Sequence, residues 1–183
     1  MRVCSNSRRV PLALTALLLA ALVIPIPAAA TDRRVLSVAE LVSGADAVVV
    51  SRLESSRAEW QRSRIVTRHR LQVGEVWRGD LKPEASISVL TLGGVVGEIG
   101  QRVNGQVNLP PDAELVVFLA KAGPANDRHY RIVGMTQGVF NVKRAPGDVD
   151  GLVLRDQFAP NVDQQSPILT LLELRRAVEA APE

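Results

Sequence analysis

Residues 65–73 alternate apolar and polar side chains, and this alternation constrains the fold more than any other feature. Ile65, Leu71 and Val73 share one parity, while Arg68 and Arg70 occupy the other. A strand with one apolar and one polar face is typical of an antiparallel sheet. The pattern therefore predicts a β-rich chain whose sheet has one wet face.

The alternation changes phase immediately after this segment. The next apolar position is Val76, and Gly74 lies between it and Val73. A one-residue slip beside a glycine predicts a β-bulge, which bends a strand and increases its twist. Bent strands help a sheet to curl and close into a barrel.

Further strands are predicted along the chain, and polar or proline-rich stretches separate them. Residues 54–63 are polar and are predicted to form a turn. The predicted strands cover residues 47–53, 85–92, 114–120, 130–134 and 138–142, with a short edge at 152–154.

Two helices are predicted at the ends of this β-rich region. Ser37 and Glu40 have the spacing of a capping box, and so do Thr170 and Glu173. We expect a short helix at about 37–43 and a C-terminal helix at about 166–180. The predicted fold is mainly β: a small closed or partly open antiparallel β-barrel, OB-like, with these two helices.

The first thirty residues have the three parts of a secretory signal peptide. Arg2, Arg8 and Arg9 precede the uncharged run at 12–24, and small residues follow at 28–30. Cleavage is predicted before Thr31, which leaves 31–183 as one secreted or periplasmic β-barrel domain without a membrane association. A retained anchor is the alternative, although the apolar run is short for a span of roughly twenty residues.

Removal of this segment changes the charge and the thiol content of the chain. The sequence has 22 Lys and Arg and 19 Asp and Glu, and three arginines and no acid lie in residues 1–30, so 22 − 3 = 19 basic residues face 19 acidic ones. A neutral chain gives no electrostatic reason to expect nucleic acid as a partner. Cys4 is the only cysteine, so the mature chain is expected to have neither a disulfide nor a thiolate site.

Several segments carry a resemblance to known proteins. The succession ADAVVVSRLESS, LQVGEVWRGDL, GG, ELVVFL and YRIVGMTQGVFNV resembles a set of uncharacterised secreted bacterial proteins over most of residues 37–143. ADAVVV and WRGD also resemble the netrin-like modules of metalloproteinase inhibitors, which implies an OB-type barrel. Those inhibitors bind zinc through a disulfide-bonded N-terminal cysteine, whereas Thr31 begins a cysteine-free chain here. The resemblance therefore implies an architecture and not the inhibitory chemistry.

The stretch TLGGVVGEIGQRVNG, residues 91–105, is the most site-like segment. Its spacing fits neither a dinucleotide fingerprint nor a P-loop, and no lysine lies in it. One interpretation is that its glycines only bend the chain. The other is a recognition loop, because irregular connections often carry function. The candidate recognition residues are Gly93, Gly94, Gly97, Glu98, Gly100, Gln101 and Arg102, and Trp60 is a candidate exposed aromatic contact.

No catalytic, cofactor or metal motif is recognisable. His69 lies between two arginines and His129 follows Asp127 and Arg128 in a predicted polar turn, so both are predicted to be solvated or on a sheet surface. No G-x-S-x-G or H-E-x-x-H sequence accompanies them. We predict a non-catalytic binding or structural module, with an extracytoplasmic protein as the candidate partner and no cofactor. The alternative is an extracytoplasmic hydrolase that uses carboxylates without a recognisable motif.

The signal-peptide interpretation predicts the mass of the exported protein. Protein recovered outside the cytoplasm should begin at Thr31 and should not react with thiol reagents, because Cys4 has been removed. Intact-mass spectrometry measures both properties. A mass that includes residues 1–30 would contradict the cleavage and the neutral charge of the mature chain.

Overall fold

The computed structural model describes residues 35–105, 107–123, 129–155 and 169–182. The predicted signal segment, residues 1–30, lies outside the described residues. Within them the chain is mainly β, as predicted, with two α-helices and one short 3-10 helix. Neither of these two α-helices is long and apolar enough to cross a lipid bilayer.

The elements follow in chain order with short connections. The helices are α1 (Val38–Ser43), the 3-10 helix (Met135–Gly138) and α2 (Leu171–Ala180). The strands are β1 (Ala47–Gln61), β2 (Arg64–Arg78), β3 (Ser86–Leu92), β4 (Gly94–Val96), β5 (Ile99–Gln101), β6 (Glu114–Ala122), β7 (His129–Ile132), β8 (Val139–Lys143), β9 (Leu152–Arg155) and β10 (Leu169–Thr170).

Five strands form a ring in the order β1-β2-β3-β7-β6, and β6 pairs with β1 to close it. The β3–β7 pair is parallel, and the other pairs of the ring are antiparallel. Strand β8 pairs with β6 beside β7, and β9 and β10 extend the sheet from there. The ring and this extension leave β1 covered on both faces near its start.

The start of β1 contributes side chains to two separate apolar clusters. Ala47 and Val49 belong to a cluster with Leu71, Val73 and Val117. The alternate side chains, Val48 and Val50, belong to a second cluster that includes α1, α2, β8 and β9. A strand buried on both faces needs a continuous apolar run, and AVVV supplies it.

Both helices have the predicted capping boxes. In α1 the Glu40 amide donates to the Ser37 hydroxyl at 3.2 Å, and the Ser37 amide donates to the Glu40 carboxylate at 2.8 Å. Thr170 and Glu173 make the same pair of bonds at the start of α2. The predicted start of this helix near 166 is wrong, because residues 169–170 form strand β10 and the helix begins at Leu171.

The predicted turn at 54–63 is also wrong, since β1 continues to Gln61 and pairs with β2 along its length. Only Arg62 and Ser63 separate the two strands. Beyond Arg52, β1 pairs with β2 alone and most of its side chains are exposed, so polar residues are compatible with a strand there. We call residues 53–70 of this hairpin the arm.

The bulge predicted at Gly74 is confirmed. Val50 pairs with Glu75 and Ser51 pairs with Val73, which leaves Gly74 without an opposite residue. The extra residue lies where β1 has β2 on one edge and β6 on the other. The bend therefore occurs in the part of the sheet that belongs to the ring.

A substitution at Val117 tests the inward position of this side chain in the ring. Its side chain is fully buried in the cluster with Val49 and Val73, so Val117→Asp should cost about 4 kcal/mol or more of unfolding free energy. Chemical denaturation measures this loss. Val149→Asp is the matched control, because Val149 is 89% exposed and the same change there should have little effect. Similar midpoints for the two variants would contradict the inward position of Val117.

Candidate binding surface

The glycine-rich segment, predicted as a tightly bent, hairpin-like loop, forms a small β-hairpin with two short strands that the sequence did not predict. Strands β4 and β5 pair antiparallel as a separate two-stranded sheet, and Gly97 and Glu98 form the turn. Gly97 has φ of 61°, a left-handed conformation that glycine adopts without strain. A glycine at the first position is typical of one of the two favoured two-residue hairpin turns.

The hairpin packs closely against the arm. A Cβ added at Gly94 would lie 2.5 Å from the Thr67 hydroxyl and 3.0 Å from the Ala58 Cβ. The Gly93 amide donates to the Ile65 carbonyl at 2.9 Å, and the Thr67 hydroxyl donates to the Gly93 carbonyl at 2.7 Å. These glycines bend the chain and allow the close approach, as one of the two interpretations expects.

The polar residues of the candidate recognition loop have different environments. Gln101 is half-buried, and its side-chain oxygen accepts a hydrogen bond from the Ile65 amide at 2.7 Å. Gln101 therefore fixes the hairpin to the arm. Glu98 and Arg102 are exposed, as is Gly100 in β5.

Trp60 lies beside this hairpin. It is next to the last residue of β1, rather than in a turn, and it pairs directly with Ile65. Ala58, which Gly94 contacts, is two positions earlier and therefore on the same face of the arm. Folding thus brings together two sequence candidates that are more than thirty residues apart.

Two apolar residues of the hairpin are exposed, one on each of its faces, because Val95 pairs with Gly100 and Ile99 pairs with Val96. Val95 is 67% exposed and Ile99 is 56% exposed, and Trp60 is 50% exposed. We call Trp60, Val95, Ile99, Glu98 and Arg102 the tip surface. Sequence reasoning missed Val95 and Ile99 because it treated the whole segment as a loop. The signal was VVGEI, in which two apolar segments flank a glycine turn.

Unpaired arginines lie at the end of the arm and in the hairpin. Arg62, Arg64 and Arg102 are exposed, and no described residue forms an ion pair with any of them. Glu98 is the one acidic residue of the tip surface. This end of the molecule therefore carries positive charge although the predicted mature chain is formally neutral.

Contrary to expectation, His69 is buried, with only 6% of its surface exposed. Its Nδ1 lies 2.7 Å from the Ser56 hydroxyl, and its Nε2 lies 2.9 Å from the Thr91 hydroxyl. Burial lowers the pKa of His69 to about 4. An imidazole with so low a pKa is a weak general base at neutral pH. The three side chains are better explained as a neutral hydrogen-bond network that joins β1, β2 and β3.

A second polar cluster lies on the other face of the arm. The Arg68 guanidinium donates to Glu59 at 2.8 Å and to Ser88 at 3.3 Å, and it lies about 3 Å from the His129 ring. His129 is the first residue of β7 and not part of a turn. These contacts join β1, β2, β3 and β7 across the outside of the ring.

The carboxylates that come closest to a hydrolytic site line a cleft at the Gly74 bulge. Each of the three is occupied: Glu114 binds Arg144 at 2.9 Å, Glu84 accepts from Gln72, and Glu75 accepts from Trp77. The described part of the chain contains no group of three His, Cys, Asp or Glu side chains arranged to hold a metal ion. The geometry therefore gives less support to carboxylate chemistry than to recognition at the tip surface.

Comparison with known proteins adds no relative from which a function could be carried over. No family model matches the chain, and neither a curated protein nor a solved structure matches it. The interpretation of function therefore depends on the surface itself.

The buried histidine predicts a pH-dependent stability. Above pH 6.5 His69 is neutral in both states, so it adds no pH dependence. Between pH 6.5 and 4 the unfolded chain binds a proton that the folded protein does not, so the unfolding free energy falls. At pH 4 this loss should be about 3 kcal/mol.

Urea denaturation at pH 7 and pH 4 tests this prediction. The wild-type protein should lose about 3 kcal/mol more than the His69→Gln variant, which has no group that titrates in this range. Equal losses in the two proteins would contradict the buried neutral state of His69.

Proposed function

We propose that this protein is a non-catalytic binding module that holds a partner protein at its tip surface. The observation that carries the proposal is the packing of the glycine hairpin on the arm at Ala58 and Ile65, next to Trp60, in a region where Trp60, Val95 and Ile99 are each at least half exposed. Tryptophan and arginine are enriched among the residues that dominate binding energy in protein interfaces. The tip surface combines both types.

The positive charge of the tip region indicates a second property of the partner, which is its own charge. The unpaired arginines at the end of the arm and in the hairpin favour a partner with acidic groups around an apolar contact. Exposed charges of this kind raise the association rate and exclude like-charged partners more than they raise affinity. The aromatic and aliphatic side chains supply the affinity.

We further propose that the five-strand ring is an OB-type barrel. Its support is the spatial order β6-β1-β2-β3, in which the fourth ring strand returns beside the first, as in a Greek key. OB folds are five-stranded Greek-key barrels that bind ligands with their loops and one sheet face. A binding role agrees with this architecture, but its support is the tip surface and not the fold.

An extracytoplasmic location is part of the same proposal. Its support is the signal-like segment at 1–30 and the absence of cysteine from the rest of the sequence. The hydrolase alternative has no comparable support, because partners already occupy the carboxylates at the bulge.

Affinity capture followed by titration tests the function. The wild-type protein is used to capture a partner from the extracytoplasmic fraction of its native host, and the purified partner is then titrated against variants. Trp60→Ala should weaken binding about thirtyfold, the effect of losing one dominant contact, while the melting temperature stays close to that of the wild type. Arg102→Ala should slow association and reduce its salt dependence.

One control variant makes the result specific. Leu172→Ala removes a half-exposed apolar side chain from α2, distant in sequence from the tip surface, and should leave affinity unchanged. Gln101 is kept in all variants because its side chain holds the Ile65 amide. Equal affinity of the Trp60→Ala and Leu172→Ala variants would exclude the tip surface as the binding site.

A further inference from the structure

One edge of β1 is without a neighbour over half of its length. The strand pairs with β6 only along residues 47–52, although it continues to Gln61. From residue 53 onward, the edge that faces away from β2 pairs with no strand of the described residues. Such an edge presents unpaired N–H and C=O groups that can pair with another strand.

The outer part of this edge is regular. Residues 55–61 pair with β2 without a register shift, and the segment contains neither proline nor glycine. Seven residues is a usual length for a strand in a sheet. Proteins commonly protect an exposed edge with bulges or proline, and this segment has neither.

We propose that a second copy of this chain pairs with residues 55–61 in antiparallel orientation, about a two-fold axis at Ala58. The sheet then continues from one arm into the other. This register places Arg57 of each copy opposite Glu59 of the other, so two oppositely charged pairs flank the axis. Opposite charges in directly facing positions stabilise an antiparallel pair, and like charges destabilise it.

The charge pattern also excludes the adjacent symmetric registers. An axis at Arg57 places two arginines opposite each other, and an axis at Glu59 places two glutamates opposite each other. The symmetry is that of an isologous dimer, in which both copies use the same surface. The sequence RAE therefore selects one register among the three.

The ion pairs within one copy leave Arg57 and one oxygen of the Glu59 carboxylate available to a second copy. Glu59 binds Arg68 through one carboxylate oxygen, at 2.8 Å. Arg57 faces Arg68 directly across the hairpin, and no described residue forms an ion pair with it. A carboxylate from the second copy would lie beside two neighbouring guanidinium groups.

The small residue at the axis also suits this arrangement. Ala58 presents no long side chain where the two copies come closest, and Trp60 of one copy lies opposite Ser56 of the other. The exposed hairpin beside Ala58 adds apolar area near the axis. The inference goes beyond the proposed function, because the dimer would join two tip surfaces into one bivalent surface.

A charge-exchange experiment tests the dimer. Sedimentation velocity over a range of concentrations should show reversible self-association of residues 31–183 of the wild-type chain. Arg57→Glu places carboxylates opposite carboxylates, and Glu59→Arg places guanidinium groups opposite each other. Each change should weaken self-association about tenfold or more.

Mixing the two variants gives the decisive result. In the mixed dimer every charge faces an opposite charge, so self-association should return toward the wild-type value. Arg175→Glu is the control, since this exposed arginine lies on α2 and not on the arm. A monomeric wild-type protein, or mixed variants that associate no more than either alone, would overturn the proposal.

Amide hydrogen exchange on the wild-type protein tests the interface without any substitution that could prevent folding. Amide hydrogen exchange should slow with protein concentration within residues 55–61, and should not change with concentration in β9. Unchanged exchange along 55–61 in a protein that self-associates would assign the interface to another surface and reject this one.

Discussion

The structure depends on β1 pairing with two different strands. Along residues 47–52 it pairs with β6 on one edge and β2 on the other, and this double pairing closes the ring. Both faces of β1 are buried along residues 47–51, so this part of the strand separates the two apolar clusters. At Arg52 the pairing with β6 ends, and the rest of β1 belongs to the arm. The arm therefore exists because β1 extends beyond the segment that pairs with β6.

The arm cannot be stabilised as the ring is, because it has less apolar surface to bury. Hydrogen bonds take part of this role: His69 joins Ser56 and Thr91, and Gln101 holds the Ile65 amide. Buried polar groups of this kind are favourable only when they are satisfied, and both ring nitrogens of His69 have partners. The glycine hairpin then covers one face of the arm, which is why glycine is needed where the two backbones approach.

Much of the ring was predictable from local pattern. The strands, both capping boxes and the bulge at Gly74 follow from alternation and spacing that each segment carries by itself. Residues 54–61 were predicted as a turn because pattern reading expects a strand to have an apolar face, and the arm largely lacks one. The parallel pairing of β3 with β7 is non-local and has no such signature. The sequence indicated Trp60 and residues 93–102 as two separate parts of a candidate binding surface. Only the fold showed that the hairpin packs on the arm next to Trp60 and that Gln101 fixes it there.

In the proposed function, the separation of ring and arm would keep the apolar core apart from the surface that binds a partner. Apolar burial is concentrated in the ring, where a change is felt by the whole fold, while the exposed apolar and arginine side chains lie on the arm and its hairpin. We therefore expect changes at the tip surface to have little effect on the core. In the two proposed interactions, the charges of the arm would also restrict the partners: Arg57 and Glu59 would oppose pairing in the wrong register, and the unpaired arginines would disfavour basic partners. An exposed edge that could otherwise promote aggregation would in this way be limited to a few partners.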